Sequence, residues 1–434
     1  MLYGCAKIGA LLVCLNWRLA TPELAYIVGD AQPVGLIYDA EFAPPAGALA
    51  AQFAISHTLS MGAPYESALA LADAAPIVMP PTPLDTPWFL LYTSGTTGRP
   101  KGVVQTHGMV FYNGLNIGQP TGLTHTDVTL NLLPFFHTGG LNLYTNPTLL
   151  FGGTAIIQRA FDPAETLRIL ATEATVFFGV PAVYLFMSQH PDFAGADLTR
   201  VRSWACGGAP MPLSLLETYA ARGILVQQGF GMTETGPTVF LLDETDALRK
   251  IGSVGKPQLF VDVRIVDRDG RDLPQGERGE LLVKGPGVTP GYWNLPAVTA
   301  QAITADGWLH TGDVALQDAD GFYFIVDRWK DMYISGGENV YPAEVENVLY
   351  SHAAVKEAAV IGVPDARWGE VGRALVVLKE GATVEAAALI DLCRSRLARY
   401  KVPKSVRFVS ELPRTAAGKV RKTELRAQYG SDHA

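Results

Sequence analysis

The chain has 434 residues, 48% hydrophobic and 18% charged, which is enough apolar material for two or three packed domains and too little charge for a disordered chain. Lys and Arg total 34 against 42 Asp and Glu, a net charge of −8 with no long block of either sign, so a nucleic-acid footprint has no support and a small-molecule enzyme fits. Four cysteines, Cys5, Cys14, Cys206 and Cys393, show no paired metal-ligand spacing and fit a reducing compartment.

The apolar run 8–15 lies near the N-terminus, but no basic segment leads it and no small-residue cleavage site follows before Asn16, Trp17 and Arg18. It reads as a buried strand rather than a signal peptide. No apolar stretch reaches the ~18–20 residues of a bilayer span, and a cytoplasmic protein is expected. From 1 to 242 short apolar runs alternate with helical patterns, as in an α/β sheet with crossover helices. Segments 34–38, 88–92, 154–157, 174–178 and 201–205 read as strands, and Asp162 followed by Pro163 gives an N-cap and first-turn proline for a helix through 172. The proline-rich stretch 75–87 reads as a surface connector.

After Gly252 the texture becomes antiparallel β. Residues 261–266 alternate, Asp269 and Gly270 turn, and 280–283 return; a second hairpin runs 313–316, turns at Asp320 and Gly321, and returns over 322–326. Beyond Arg328 a unit of about 100 residues is expected as a separate domain. It carries helices at 342–351, 386–400 and 421–428 and strands at 358–361 and 374–378.

The sharpest local signal is YTSGTTGRPKG at 92–102, directly after the strand 88–91. Hydroxyls at Thr93, Ser94, Thr96 and Thr97, glycines at Gly95, Gly98 and Gly102, and Lys101 suit a loop that wraps phosphate oxygens, because small residues let backbone N–H groups approach. A P-loop NTPase is excluded: only two residues separate Gly95 from Gly98, and Gly102 follows the lysine where Ser or Thr is required.

This loop resembles the phosphate-binding signature of the adenylate-forming superfamily, which includes acyl-CoA synthetases, peptide-synthetase adenylation domains and luciferases. Four further stretches match in the family's order: GFGMTETGP at 229–237, GWLHTGD at 307–313, DRWKDMYISGGENVYPAEVE at 327–346 and PRTAAGK at 413–419. The match runs over nearly the whole chain but begins late, since 9–37 resembles a segment that family members place several tens of residues in; the family's extreme N-terminal part is expected to be absent. The resemblance implies an AMP-binding domain over 1–328 and a small mobile α+β domain over 329–434. The large domain would be layered α/β sheets with a small antiparallel β subdomain.

The implied chemistry is activation of a carboxylic acid by ATP, with release of pyrophosphate, and displacement of AMP by a thiol. On that resemblance Glu234 would bind Mg²⁺ bridging the ATP phosphates, and Thr233 would hydrogen-bond the α-phosphate. Two segments, one with Gly207, Gly208, Ala209 and Pro210 and the other with Gly229, Phe230, Gly231 and Met232, would sandwich adenine, with Phe230 as the stacking face. Asp313 matches the carboxylate that accepts both ribose hydroxyls, and Arg328 the arginine that also reaches the ribose. Lys419 resembles the lysine that meets the acyl carboxylate and α-phosphate. Rotation about Lys330 would exchange Lys419 for the Gly336 and Gly337 segment between the two reactions.

The stretch at 335–346 is closer to acyl-CoA synthetases than to peptide synthetases, and no carrier domain follows Lys419, so free CoA is the expected thiol. The rivals are an adenylation unit that loads a carrier protein or stops at the acyl adenylate, and a truncated nucleotide-binding remnant without turnover. A homodimer is left open. For the acyl group, PFFHTGG at 134–140 puts His137 at the family's pocket gate, with Thr138, Gly139 and Gly140 leaving space beside it and Val180, Gly208 and Met232 adding apolar walls. That favours a medium or long acyl chain or an aromatic acid over acetate.

Overall fold

The computed structural model describes residues 1–430 except 76, 80, 95–98, 329–330, 337 and 416–417, with only the backbone of Ser94 and Arg328. At its centre five strands run parallel in the order Val226–Gly231, Ser203–Cys206, Val176–Gly179, Val128–Asn131 and Thr154–Ile157. Every residue of Val176–Gly179 and of Ser203–Cys206 is buried, which is why these strands read as unbroken apolar runs rather than alternating ones. Thr238–Leu241 and Lys256–Pro257 extend the edge antiparallel.

The helix Pro163–Thr172 begins as its sequence dictates, with Asp162 Oδ1 accepting the Glu165 N–H at 2.8 Å and proline in the first turn. Its buried face, with the helices Pro181–Gln189 and Leu213–Ala220, closes over an aromatic core of Phe177, Tyr184, Trp204 and Tyr219. The buried phenols are satisfied: Tyr184 donates to the Ala205 carbonyl and Tyr219 to the Tyr184 carbonyl, each at 2.8 Å.

A second sheet pairs Leu12–Cys14 parallel with Pro87–Ser94, which turns back antiparallel into Pro100–Thr106. The N-terminal expectation is corrected here. Residues Leu2–Ile8 form a helix without a single buried residue, ended by Gly9 in the left-handed region at φ 68°, and only Leu12–Cys14 is strand. Tyr3 and Ile8 are exposed at 45% and 55%, because the helix lies on the outside of this sheet and meets it through Leu2, Ala6 and the Tyr3 ring, whose centre is 5.5 Å from that of Trp88.

The two expected hairpins combine into one antiparallel sheet, Asp262–Val266, Gly279–Lys284, Leu309–Gln317 and Tyr323–Arg328. After it Tyr333–Ser335 opens a different five-stranded sheet with Glu338–Val340, Gly369–Leu378, Val355–Asp365 and Ser405–Phe408. Helices Pro342–Tyr350 and Ala386–Arg396 cover one face around Tyr333, Val345, Leu389 and Cys393, and Lys422–Tyr429 covers the other through Leu425. Tyr333 fits because Gly362 and Gly372 face each other across the strands; a methyl group on Gly372 would stand 2.3 Å from the Tyr333 oxygen. The single helix expected over 386–400 stops at Arg396, where Leu397 is extended, and a separate 3₁₀ turn covers Arg399–Lys401.

The last unit is tied to the antiparallel sheet: Arg278 Nη2 donates to Glu344 Oε1 at 2.7 Å, and Asp327 Oδ2 accepts the Ala343 N–H at 3.0 Å at the start of the helix Pro342–Tyr350. No helix among the described residues is long and apolar enough to cross a membrane.

Candidate active site

Between the central sheet, the antiparallel sheet and the last unit lies a cleft of about 2030 Å³. It collects nearly every sequence-selected residue that the structure describes. Thr93 and Lys101 line it as cross-strand partners, with Ser94 opposite Pro100 in the same register. The stem is clamped below: the Tyr92 hydroxyl donates to Asp30 Oδ2 at 2.6 Å, and the Tyr92 ring lies where a Cβ on Gly102 would stand, at 2.9 Å. Burial, then this bond and the Asp30 charge, raise the Tyr92 phenol well above its usual range. The loop residues Gly95, Thr96, Thr97 and Gly98 lie outside the described residues, as does the side chain of Ser94.

Gly208, Ala209 and Pro210 face Gly229, Phe230, Gly231 and Met232 across the cleft. Close backbone approach explains the glycines: a Cβ on Gly207 would stand 3.2 Å from the Gly229 carbonyl oxygen, and one on Gly231 would stand 1.9 Å from that of Pro237. Phe230 is half-buried; one part of it packs towards Phe240, ring centres 6.1 Å apart, while it also lines the cleft. A flat ring supported from behind is suited to stacking.

Thr233 and Glu234 are buried, at 7% and 8% exposure, on a 3₁₀ turn. Gln105 Nε2 donates to the Thr233 carbonyl at 2.9 Å, Thr289 N to the Glu234 carbonyl at 2.8 Å, and the Tyr292 hydroxyl to Glu234 Oε1 at 3.0 Å. Asp313 is buried at 5%, sits opposite Arg328 in the sheet, and is shaped by the preceding turn: its N–H meets Thr311 Oγ1 at 3.1 Å, and Glu280 Oε1 accepts the Gly312 N–H at 3.2 Å. The Arg328 side chain is outside the described set.

Among the described residues no group of three or more His, Cys, Asp or Glu side chains could hold a metal ion by itself. A single buried carboxylate lining an open cleft is nevertheless the donor set that Mg²⁺ takes when substrate phosphates and waters fill the other positions. Glu234 fits that group.

Lys419 reaches into the cleft from a loop locked by its own backbone: Thr415 N donates to the Lys419 carbonyl at 2.7 Å and Lys419 N to Thr415 Oγ1 at 3.1 Å. Arg414 braces the same loop, donating to the Gly418 carbonyl at 2.6 Å and to Glu357 Oε2 at 2.7 Å. Lys419 Cε lies 3.9 Å from where a Cβ on Gly208 would stand. Gly336 is exposed, packs against Trp368 and is not among the residues lining the cleft, while Lys330 and Gly337 lie outside the described residues.

Beside Lys419 a small slot of about 30 Å³ is lined by Leu133, His137, Gly139, Leu143, Phe178, Val180 and Gly208, among others. His137 Nδ1 accepts the Gly139 N–H at 3.0 Å, so that nitrogen carries no proton. Burial first, and the Lys419 charge second, lower its pKa from 6.5 to about 4, so it is neutral near pH 7. The expected space beside His137 is corrected in one respect. Gly140 leaves none, since a Cβ there would stand 2.4 Å from the Pro134 carbonyl oxygen; this glycine is a close backbone contact. Met232 and Thr138 line the main cleft together with His137 and Gly139.

The residues that sequence reasoning missed are Leu133, Leu143 and Phe178 in the slot and Gln105 and Tyr292 behind the 3₁₀ turn. The apolar three carry no signal beyond that of core residues. Tyr292, in GYWN at 291–294, stands in a glycine-and-aromatic cluster that could have drawn attention.

Residues 1–293 match the family described as AMP-binding enzyme, and residues 344–419 match the AMP-binding enzyme C-terminal domain. A feruloyl-CoA synthase of Amycolatopsis is 46% identical over 99% of this chain and 86% of its own length. A long-chain-fatty-acid–CoA ligase of Mycobacterium tuberculosis is 40% identical over 99% of this chain and 86% of its own. The crystal structure of ATP-bound MatB from Rhodopseudomonas palustris superimposes with a TM-score of 0.92 at 34% identity, covering 99% of this chain and 86% of that one.

Proposed function

Since this chain belongs to the AMP-binding enzyme family and is an AMP-forming acid–thiol ligase, we propose that it joins an aromatic carboxylic acid to CoA. The acid is placed beside Lys419, where Leu133, Leu143, Phe178 and Val180 line an apolar slot of about 30 Å³, and the observation that carries the aromatic choice is the identity of the relatives. The relative at 46% identity is named for an aromatic acid, and the one named for long-chain fatty acids stands at 40%.

In this reading ATP lies along the cleft, with adenine against Phe230 between the Gly208 to Pro210 and Gly229 to Met232 segments and the ribose on Asp313 beside Arg328. The phosphates meet Thr93, Ser94, Lys101, Thr233 and the 95–98 loop. Glu234 would hold Mg²⁺ together with the phosphates, and the ion would supply charge neutralisation for the pyrophosphate leaving group. The carboxylate oxygen attacks the α-phosphorus and pyrophosphate leaves. Negative charge builds between acid and α-phosphate, where the Lys419 ammonium is already placed. The CoA thiolate then attacks the acyl carbonyl and AMP departs, with the thiol proton released. In that second step the 329–434 unit pivots at Lys330 and brings Gly336 and Gly337 to the cleft in place of Lys419. The neutral His137 forms the gate between the acyl slot and the reacting carboxylate, without adding a second positive charge.

The test is a panel of aryl, arylalkanoic and C6–C18 fatty acids assayed for pyrophosphate and AMP release with and without CoA. Aryl acids should give AMP, pyrophosphate and thioester in equal amounts. A panel dominated by fatty acids would overturn the aromatic assignment, and AMP formation without thioester would favour an enzyme that stops at the adenylate or serves a carrier protein.

A further inference from the structure

Residues 289–293 lie between two parts of the site that are far apart in sequence. On one side they are stitched to the strand that leaves the phosphate loop: Val104 N donates to the Gly291 carbonyl at 3.1 Å, Trp293 N to the Gly102 carbonyl at 2.7 Å, and Thr289 Oγ1 to the Val104 carbonyl at 2.7 Å. On the other, Thr289 N holds the Glu234 carbonyl. Tyr292 N is pinned to Thr299 Oγ1 at 3.0 Å, and Gly291, at φ 145°, allows the approach because any Cβ there would strike Thr299. The Tyr292 backbone is therefore fixed, and its side chain lines the cleft.

That side chain touches both charges. Lys101 Nζ stands 5.1 Å from the ring centre, within cation–π range, and the hydroxyl lies 3.0 Å from Glu234 Oε1. The hydroxyl is the donor in this pair, because a carboxylate oxygen accepts. Only one carboxylate oxygen is engaged: among the described residues Oε2 of Glu234 has no hydrogen-bond partner.

We propose that Tyr292 is a positioning residue that sets Lys101 and Glu234 at a fixed mutual placement, its ring under the ammonium and its hydroxyl on the carboxylate. It rests on the reading of Glu234 and Lys101 as the phosphate and Mg²⁺ side of the cleft. A carboxylate held through one oxygen keeps the other directed for a cation, and a lysine seated on a fixed ring loses less freedom when a phosphate arrives.

Tyr292→Phe keeps the ring and removes the hydroxyl; Tyr292→Leu removes both. ATP affinity is measured calorimetrically on the full chain in excess EDTA and in saturating Mg²⁺, with the thermal midpoint and both half-reactions followed alongside. The Phe variant should bind ATP as the unaltered chain does in EDTA, gain about tenfold less affinity on Mg²⁺ addition, a loss in the range of one hydrogen bond to a charged group, and adenylate more slowly by a similar factor. Its KM for the acid and its transfer of a supplied acyl adenylate to CoA should not change. The Leu variant should in addition weaken ATP binding in EDTA. An unchanged Mg²⁺ gain in the Phe variant overturns the proposal alone; equal weakening with and without Mg²⁺ shows a structural role and also overturns it. If the unaltered chain shows no Mg²⁺ gain, both the proposal and the underlying reading of Glu234 fail.

Discussion

Lys419→Ala separates the two half-reactions and tests the electrostatics of the slot at the same time. The lysine is carried on a loop fixed by Thr415 and Arg414 and stands at the slot wall near Gly208 and Val180, so its charge is placed before the substrate arrives. Removing one preorganised donor from such a site costs about 10²–10³ in rate, roughly 2.7–4 kcal/mol, and that loss should fall on adenylation. Transfer from a supplied acyl adenylate should be retained, because in the proposed mechanism Lys419 leaves the cleft before the thiol attacks. The same substitution removes the smaller of the two causes that hold His137 at about 4. Its titration, followed by NMR, should move up but stop short of 6.5, since burial remains. In the unaltered chain the unfolded state protonates His137 below pH 6.5 while the folded state waits until about 4; stability from this group is complete above that window and falls as the pH drops through it. Pyrophosphate release and thioester formation, measured separately, decide the first part. Equal losses in both half-reactions, or a His137 titration that does not move, would refute the placement of Lys419 at the acid.

Arg414→Ala frees the Lys419 loop from Glu357, and adenylation should fall about tenfold with thioester transfer unchanged; a parallel fall in both steps would assign Arg414 to domain stability. Leu143→Ala widens the slot, so relative kcat/KM should shift towards bulkier ring systems while the KM for ATP stays constant, and an unchanged acid profile would remove Leu143 from the pocket. Arg202→Met strands Asp127, a carboxylate 4% exposed that also accepts from Thr175 and the Thr124 N–H. Because the arginine itself is 42% exposed, the cost should be about 2 kcal/mol rather than the ~3–5 kcal/mol of a fully buried pair, read as a lower thermal midpoint. Burial opposes ionisation of Asp127, but hydrogen bonds from Arg202, Thr175 and Thr124 outweigh it and hold the pKa at about 2. This contribution is complete above about pH 4 and is lost as the pH falls towards 2, so the gap between variant and parent should close in acid.

The sequence by itself determined the reaction class, the family, the order of motifs and most of the helix and strand pattern, because these depend on local chemistry. Asp162 and Pro163 open a helix wherever they stand, the runs at 176–179 and 203–206 are apolar because both faces are covered, and a lysine among glycines and hydroxyls suits phosphate in any fold. Tertiary structure alone decided which residues of distant segments meet. Tyr292 and Glu234 are 58 positions apart, and nothing local links them; two chains of backbone hydrogen bonds bring the phenol onto the carboxylate. Gly140 reads as open space in a linear motif, yet the fold places the Pro134 carbonyl against it, and the slot opens instead beside Gly139, Leu143 and Phe178. The run at 8–15 looked like one buried strand by composition, but burial depends on what packs against a segment: only Leu12–Cys14 pairs into the three-stranded sheet, half-buried, while Ile8 ends an outer helix and is exposed. Hydrophobicity and spacing are properties of neighbours in sequence, whereas a pocket wall or a shared proton belongs to neighbours in space, which only the packed chain defines.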